Sequence, residues 1–188
     1  MFTTFRGGNS GAWRITSLRP VNGAGLLDVP CLSVIHSQAV ALPLIPSQTS
    51  WRLAGVGSHV RYAERSEKSA LAAVQAGLGR PEATCAALIP IRKSAAWWDL
   101  TQEERRAIFE DKSRHIAASL NYLPAIARQL YHSRDLGEPF DFLTWFEYAP
   151  EHAAAFEDLV ATLRETEEWT YVEREVDVQL AQQELGIS

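Results

Sequence analysis

Hydrophobic periodicity divides the chain into two unequal stretches. Residues 1–60 read mostly as strands and loops. Ala12-Trp13-Arg14-Ile15-Thr16-Ser17-Leu18 and Trp51-Arg52-Leu53-Ala54-Gly55-Val56 alternate in part, as half-buried strands do. Gln38 to Ser50 carries two prolines and little periodicity, which predicts a loop. From Glu64 to Ala76 the pattern turns helical, with Ala70, Leu71 and Val74 at helical intervals, and Gly77-Leu78-Gly79-Arg80-Pro81 breaks it.

The second stretch is more sharply punctuated. Cys85 to Ile91 is a short apolar run, suited to a buried strand. Thr101-Gln102-Glu103-Glu104 has the form of a capping box, which predicts a helix to about Leu120. Ile126–Ser133 and Phe140–Tyr148 read as two strands joined by the turn-rich Arg134-Asp135-Leu136-Gly137-Glu138. Pro150 opens a second helix reaching about Glu165, and Trp169 to Leu180 alternates as a last strand. Strand, helix, strand, strand, helix, strand is the ferredoxin-like βαββαβ order. The predicted fold class is α+β, with a ferredoxin-like half over 85–188 and a degenerate copy of it over 1–84.

Composition narrows the classes. The chain has 188 residues, 46% hydrophobic and 22% charged, which is globular rather than disordered. No run of 18 apolar residues exists, so no membrane span is expected. The start, Met1-Phe2-Thr3-Thr4-Phe5-Arg6, does not read as a signal peptide. Two cysteines, Cys31 and Cys85, are too few for a disulfide framework, so a reducing cytoplasm is expected. The net charge of −5 is uneven: residues 147–188 hold 11 acids and 2 bases, whereas residues 1–146 hold 12 acids and 16 bases. No dense Lys/Arg cluster occurs, which argues against nucleic acid as a partner. A mildly positive pocket for a small anion is compatible with this distribution.

Familiar catalytic and metal motifs are missing. The five histidines form no HExxH, no Cys/His cluster is present, and neither a nucleophile elbow nor a P-loop occurs. Gly55-Val56-Gly57 is not a dinucleotide fingerprint, because no third glycine follows at the right spacing. Alternation puts Ile126, Arg128 and Leu130 on one face of a strand. Such an arginine either belongs to an edge strand or a carboxylate pair, or is aimed at an anion inside a pocket. Trp97-Trp98 beside Lys93 suits a flat cofactor site or an ordinary core. His115 lies along the capped helix, as a surface or core histidine or as a ligand. Glu168, next to Trp169, could orient a histidine through its second N–H, as carboxylates do behind metal ligands, or could be a solvated helix-end residue.

Taken in order, Ile89-Pro90-Ile91-Arg92-Lys93-Ser94-Ala95-Ala96-Trp97-Trp98, then His115, then Ala127-Arg128-Gln129-Leu130-Tyr131-His132, then Phe142-Leu143-Thr144-Trp145-Phe146-Glu147-Tyr148 resemble the chlorite dismutase family. The similarity runs from about Arg61 to Leu180. The short length resembles that family's small, dimeric branch. The resemblance implies a dimeric α+β barrel that binds haem b and converts chlorite to chloride and O2. It implies His115 as the proximal iron ligand and Glu168 as the carboxylate hydrogen-bonded to it. It implies Arg128 as the distal arginine, and Lys93, Ile89, Trp97 and Trp98 around the haem and its propionates. Gln75, Thr144 and Phe146 would complete the distal pocket, Gln75 holding the arginine toward the entrance. The sister family that decarboxylates coproheme carries Tyr-Pro-Met-x-Lys where this chain has Ile89-Pro90-Ile91-Arg92-Lys93, so the reactive tyrosine is missing. Another haem peroxidase or haem-processing protein of the same fold is the alternative.

Overall fold

The computed structural model describes residues 1–38, 49–57, 77–112, 122 and 125–183. Eight strands carry the chain: β1 (Phe2–Gly8), β2 (Trp13–Asn22), β3 (Cys31–Ser37), β4 (Thr49–Gly57), β5 (Cys85–Lys93), β6 (Ile126–His132), β7 (Phe142–Tyr148) and β8 (Val172–Gln182). They close into an antiparallel barrel in the order β1-β3-β2-β8-β5-β7-β6-β4. Short helices α1 (Ala95–Asp99) and α2 (Gln102–Arg106) follow β5, and α3 (Ala153–Arg164) precedes β8.

The expected βαββαβ order holds in the C-terminal half: strand, helices, two strands, helix, strand. Counted within each half, both sets of four strands lie in the order 4-1-3-2. The N-terminal set departs from a full unit, because only residues 9–12 link β1 to β2. A helix does not fit there. The link can be short because β1 runs along all of β3, whereas β2 pairs with β3 only at Leu32 and Cys31 and then continues onto β8.

Several boundaries shift for local reasons. The Thr101 capping box forms as read, with Glu104 N–H donating to the Thr101 hydroxyl at 3.2 Å and Thr101 N–H donating to the Glu104 carboxylate at 2.7 Å. The helix it opens passes after Arg106 into a π-type turn over Ala107–Lys112. The last strand starts at Val172 rather than Trp169, because Glu167–Tyr171 is wound into a 3-10 turn. The helices expected over 64–76 and from 113 to Leu120, and most of the loop expected from Gln38 to Ser50, lie outside the described residues.

Strand alternation gives the C-terminal sheet two unlike faces. The inner face packs the barrel: Ala86, Leu88, Tyr131, Leu143, Trp145, Val176, Val178 and Leu180 meet Phe5, Trp13, Leu32, Trp51 and Leu53 from the N-terminal half. At Gly7 this interior is so tight that an added Cβ would lie 2.1 Å from the Trp51 ring. The outer face puts Ala87, Ile89, Ile91, Ile126, Phe146, Tyr148 and Val172 against Phe156, Leu159, Val160 and Leu163 of α3. Burying these α3 residues at helical spacing holds the helix on the sheet.

Candidate functional site

The candidate residues that can be placed gather on or beside the outer face. The ladders fix their order. Arg128 of β6 is paired with Phe146 of β7, which is paired with Ala87 of β5. One rung along, Leu130 is paired with Thr144, and Thr144 with Ile89. Arg128, Phe146, Thr144 and Ile89 therefore share one surface, as alternation from Ile126 predicts. At Arg128 the described ladders pair β6 with β7 alone, since β4 meets β6 only at Tyr131 and His132.

At the end of this surface lie Lys93 and Glu168. A bulge between Arg92 and Lys93 shifts the register of β5 against β8, and bulges re-aim side chains. The backbone N–H of Lys93 donates to Asp141 at 2.7 Å. Its ammonium donates to the Glu168 carboxylate at 2.9 Å and to the Glu168 carbonyl at 3.2 Å. Both side chains are almost wholly buried, 2% and 8% exposed. Burial pulls the Lys93 pKa below its usual range, while the charge and hydrogen bond of Glu168 push it back up, helped by Asp141 and Glu175. Two of the three ammonium donors are thus spent on Glu168. The sequence did not foresee this link, because 75 residues separate the partners.

Aromatic rings enclose the pair. The Lys93 ammonium lies 4.5 Å from the Trp97 ring centroid and 5.5 Å from that of Trp169, within cation–π range. Trp97 is 2% exposed, and its indole N–H has no hydrogen-bond partner among the described residues. Trp98 stacks on Phe142 and carries the Arg134 guanidinium 3.6 Å above its ring. Its indole donates to Asp141 at 3.3 Å, so Asp141 joins the Lys93 and Trp98 ends of the site. Arg105 of α2 donates to the Trp97 and Trp98 carbonyls, which locks α1 in place.

His115 and Gln75 lie outside the described residues. Among the described residues no group of three or more His, Cys, Asp or Glu could hold a metal ion. The residues present nevertheless fit a flat apolar group with anionic substituents. Ile89, Thr144 and Phe146 offer a mostly apolar wall, Arg128 supplies positive charge, Lys93 has one ammonium donor left beside Glu168, and the Trp97 indole is a buried donor with no acceptor among the described residues. One small cavity, about 100 Å³, lies away from this surface between Arg6, Ser10, Ser33 and Thr49. It is the size of a few water molecules and has no clustered chemistry.

Sequence reasoning missed a second set of buried charges. Glu175 and Asp177 of β8 are 0% and 1% exposed. Arg164 of α3 donates to Glu175 at 2.8 and 2.6 Å and to Asp177 at 3.1 Å. Burial works against the Arg164 charge, but the hydrogen bonds and charges of the two carboxylates outweigh it and raise its pKa. The only hint in the sequence was two acids alternating with Val176 and Val178, a pattern that normally marks a solvated face.

Comparison with known proteins converges on one family. The family model described as chlorite dismutase matches residues 46–183. A chlorite dismutase from Ideonella dechloratans is 36% identical over 84 residues, which is 45% of this chain and 27% of that protein; the match thus spans about a quarter of that relative's length. Among solved structures, dimeric chlorite dismutase from Nitrobacter winogradskyi is 68% identical, with a TM-score of 0.89, covering 96% of this chain and 99% of that one. Chlorite dismutase from Candidatus Nitrospira defluvii in complex with imidazole is 32% identical, with a TM-score of 0.58, covering 71% of this chain and 56% of that one.

Proposed function

The chain belongs to the chlorite dismutase family, and from that premise we propose that it is a haem b enzyme converting chlorite to chloride and O2. The observation that carries the proposal is the buried Lys93–Glu168 pair standing at the end of the wall that also bears Arg128. A buried carboxylate anchored by a lysine suits the place behind an iron-bound histidine, where such groups orient the ring.

In this reading His115 would hold the haem iron, and Lys93, Ile89, Trp97 and Trp98 would frame the haem. Bound haem supplies the iron chemistry that takes oxygen from chlorite and returns chloride and O2. The chain's own residues do the rest. Glu168 would accept the second ring N–H of His115, making the imidazole a stronger donor and favouring oxidised iron. Lys93 holds Glu168 in place, so it acts through the carboxylate rather than on a propionate alone. Arg128 holds the anionic chlorine oxide by charge-assisted hydrogen bonds, which are strong where water is scarce. A guanidinium does not give up its proton at neutral pH, so Arg128 retains and orients but does not act as an acid. Thr144 and Phe146 would wall the pocket around the substrate, and Gln75 would steady the arginine toward the entrance.

The wider assignment follows the same premise. The two four-strand sets, over 1–84 and 85–188, are ferredoxin-like halves of one barrel, the first lacking its first helix. The protein works as a homodimer, as the Nitrobacter relative is described. No described helix is long and apolar enough to cross a membrane. Free Cys31 and Cys85 fit the reducing cytoplasm.

Oxygen evolution from chlorite by the haem-loaded protein tests the proposal. One O2 per chlorite, with haem bound one per chain, is the expected result. Tight haem binding without O2 release from chlorite would move the function to a peroxidase or to haem handling.

A further inference from the structure

Trp169 follows Glu168 directly in the 3-10 turn Glu167–Tyr171, and its indole N–H donates to Glu175 at 2.7 Å. The other oxygen of Glu175 takes both bonds from Arg164. Glu175 therefore joins three elements: α3 through Arg164, β8 through its own backbone, and the turn through Trp169. The Trp169 ring in turn faces the Lys93 ammonium that holds Glu168. Glu168 is thus fixed from two sides, by Lys93 at its carboxylate and by Trp169 at its backbone neighbour.

We propose that Glu175 is a positioning residue for the site, setting the place of Glu168 by holding the Trp169 indole. Stability alone does not account for a carboxylate here. Apolar side chains of similar volume often replace buried ion pairs without loss. A charged acceptor does what an apolar side chain cannot: it draws the indole N–H to one point and clamps the arginine behind it. The inference rests on the reading of Glu168 as the carboxylate behind the iron ligand.

The test uses full-length Glu175→Gln, Trp169→Phe, the double variant and Glu168→Gln. Two quantities are measured: amide hydrogen exchange across residues 167–171 in cofactor-free protein, and the ferric/ferrous midpoint potential with haem bound. Trp169→Phe removes the donor of the bond between Trp169 and Glu175, and Glu175→Gln leaves one acceptor oxygen for which the Arg164 guanidinium competes, weakening the same bond from the other end. Each is expected to speed exchange in the turn and to shift the potential upward, in the direction of Glu168→Gln but by less. The double variant is expected to go no further than the larger single one, since sites that share one bond are not additive. Unchanged exchange and potential in both single variants, beside a shifted Glu168→Gln, overturn the proposal. So do fully additive effects. A potential that stays put in Glu168→Gln overturns the underlying reading of that carboxylate instead. If Glu175→Gln fails to fold because Arg164 keeps only Asp177 as a charged partner, Trp169→Phe decides, for it leaves the Arg164–Glu175 pair intact.

Discussion

The two faces of the C-terminal sheet are made by the same four strands and have opposite chemistry. The inner face is an aromatic and aliphatic filling in which Trp145 meets Trp13 edge-on and lies tilted against Phe5. Its buried carboxylate Glu147 is met locally: the Trp145 indole donates to it at 2.8 Å, and Gly79 N–H donates to its other oxygen. Desolvation raises the Tyr131 pKa and keeps that phenol neutral. The outer face buries Lys93, Glu168, Glu175 and Asp177 and carries Arg128. Closing the barrel consumes the inner face in packing. The outer face alone is available to pair charges, and it spends stability on holding them. Period-two alternation therefore sorts structural from functional residues along single strands: Trp145 stabilises while its neighbours Thr144 and Phe146 line the candidate site.

That division predicts graded effects. The largest is on the cofactor: His115→Ala should abolish stoichiometric haem binding while the circular dichroism of the fold persists. Retained binding at full stoichiometry would remove His115 as the ligand. Next comes the buried pair. Lys93→Met leaves Glu168 buried without its cation, and losses of about 3–5 kcal/mol are typical of such half-broken pairs. Chemical denaturation should show a loss on this scale, together with weaker haem retention. A change near zero would mean that water already reaches the pair. Arg128→Ala should leave haem bound and stability almost unchanged, yet lower the O2 yield by about tenfold or more, the scale of a lost charge-assisted contact at a reacting centre, while the haem bleaches faster during turnover. The smallest effect is expected on the inner face. Trp145→Phe keeps the ring but leaves Glu147 short of one donor, costing about 1–3 kcal/mol with O2 yield per haem unchanged.

Alternation made much of this face legible before any coordinates. Ile126, Arg128 and Leu130 share a surface because a strand has no other option, and the Thr101 box had to start a helix. The capped helix ran on in the sequence pattern, but its described part slips into a π-type turn from Ala107 to Lys112, a distortion often found near functional sites. No residue type announces it. Glu168 was read next to a strand that begins four residues later, because Trp169-Thr170-Tyr171 has strand-like composition while its backbone winds into a 3-10 turn. The pairing of Lys93 with Glu168, and of Arg164 with Glu175 and Asp177, was illegible for another reason. Such pairs are set by which strands become neighbours when the barrel closes, and β8 reaches β5 only through the global strand order.

If chemistry belongs to the outer face and packing to the inner one, O2 released per chlorite by haem-loaded Arg128→Ala and Trp145→Phe, measured in the same oxygen-electrode assay and scaled to bound haem, separates the two faces. The yield is expected to collapse in Arg128→Ala and to match the parent protein in Trp145→Phe. Equal losses in the two variants, or an undiminished yield in Arg128→Ala, would overturn that division.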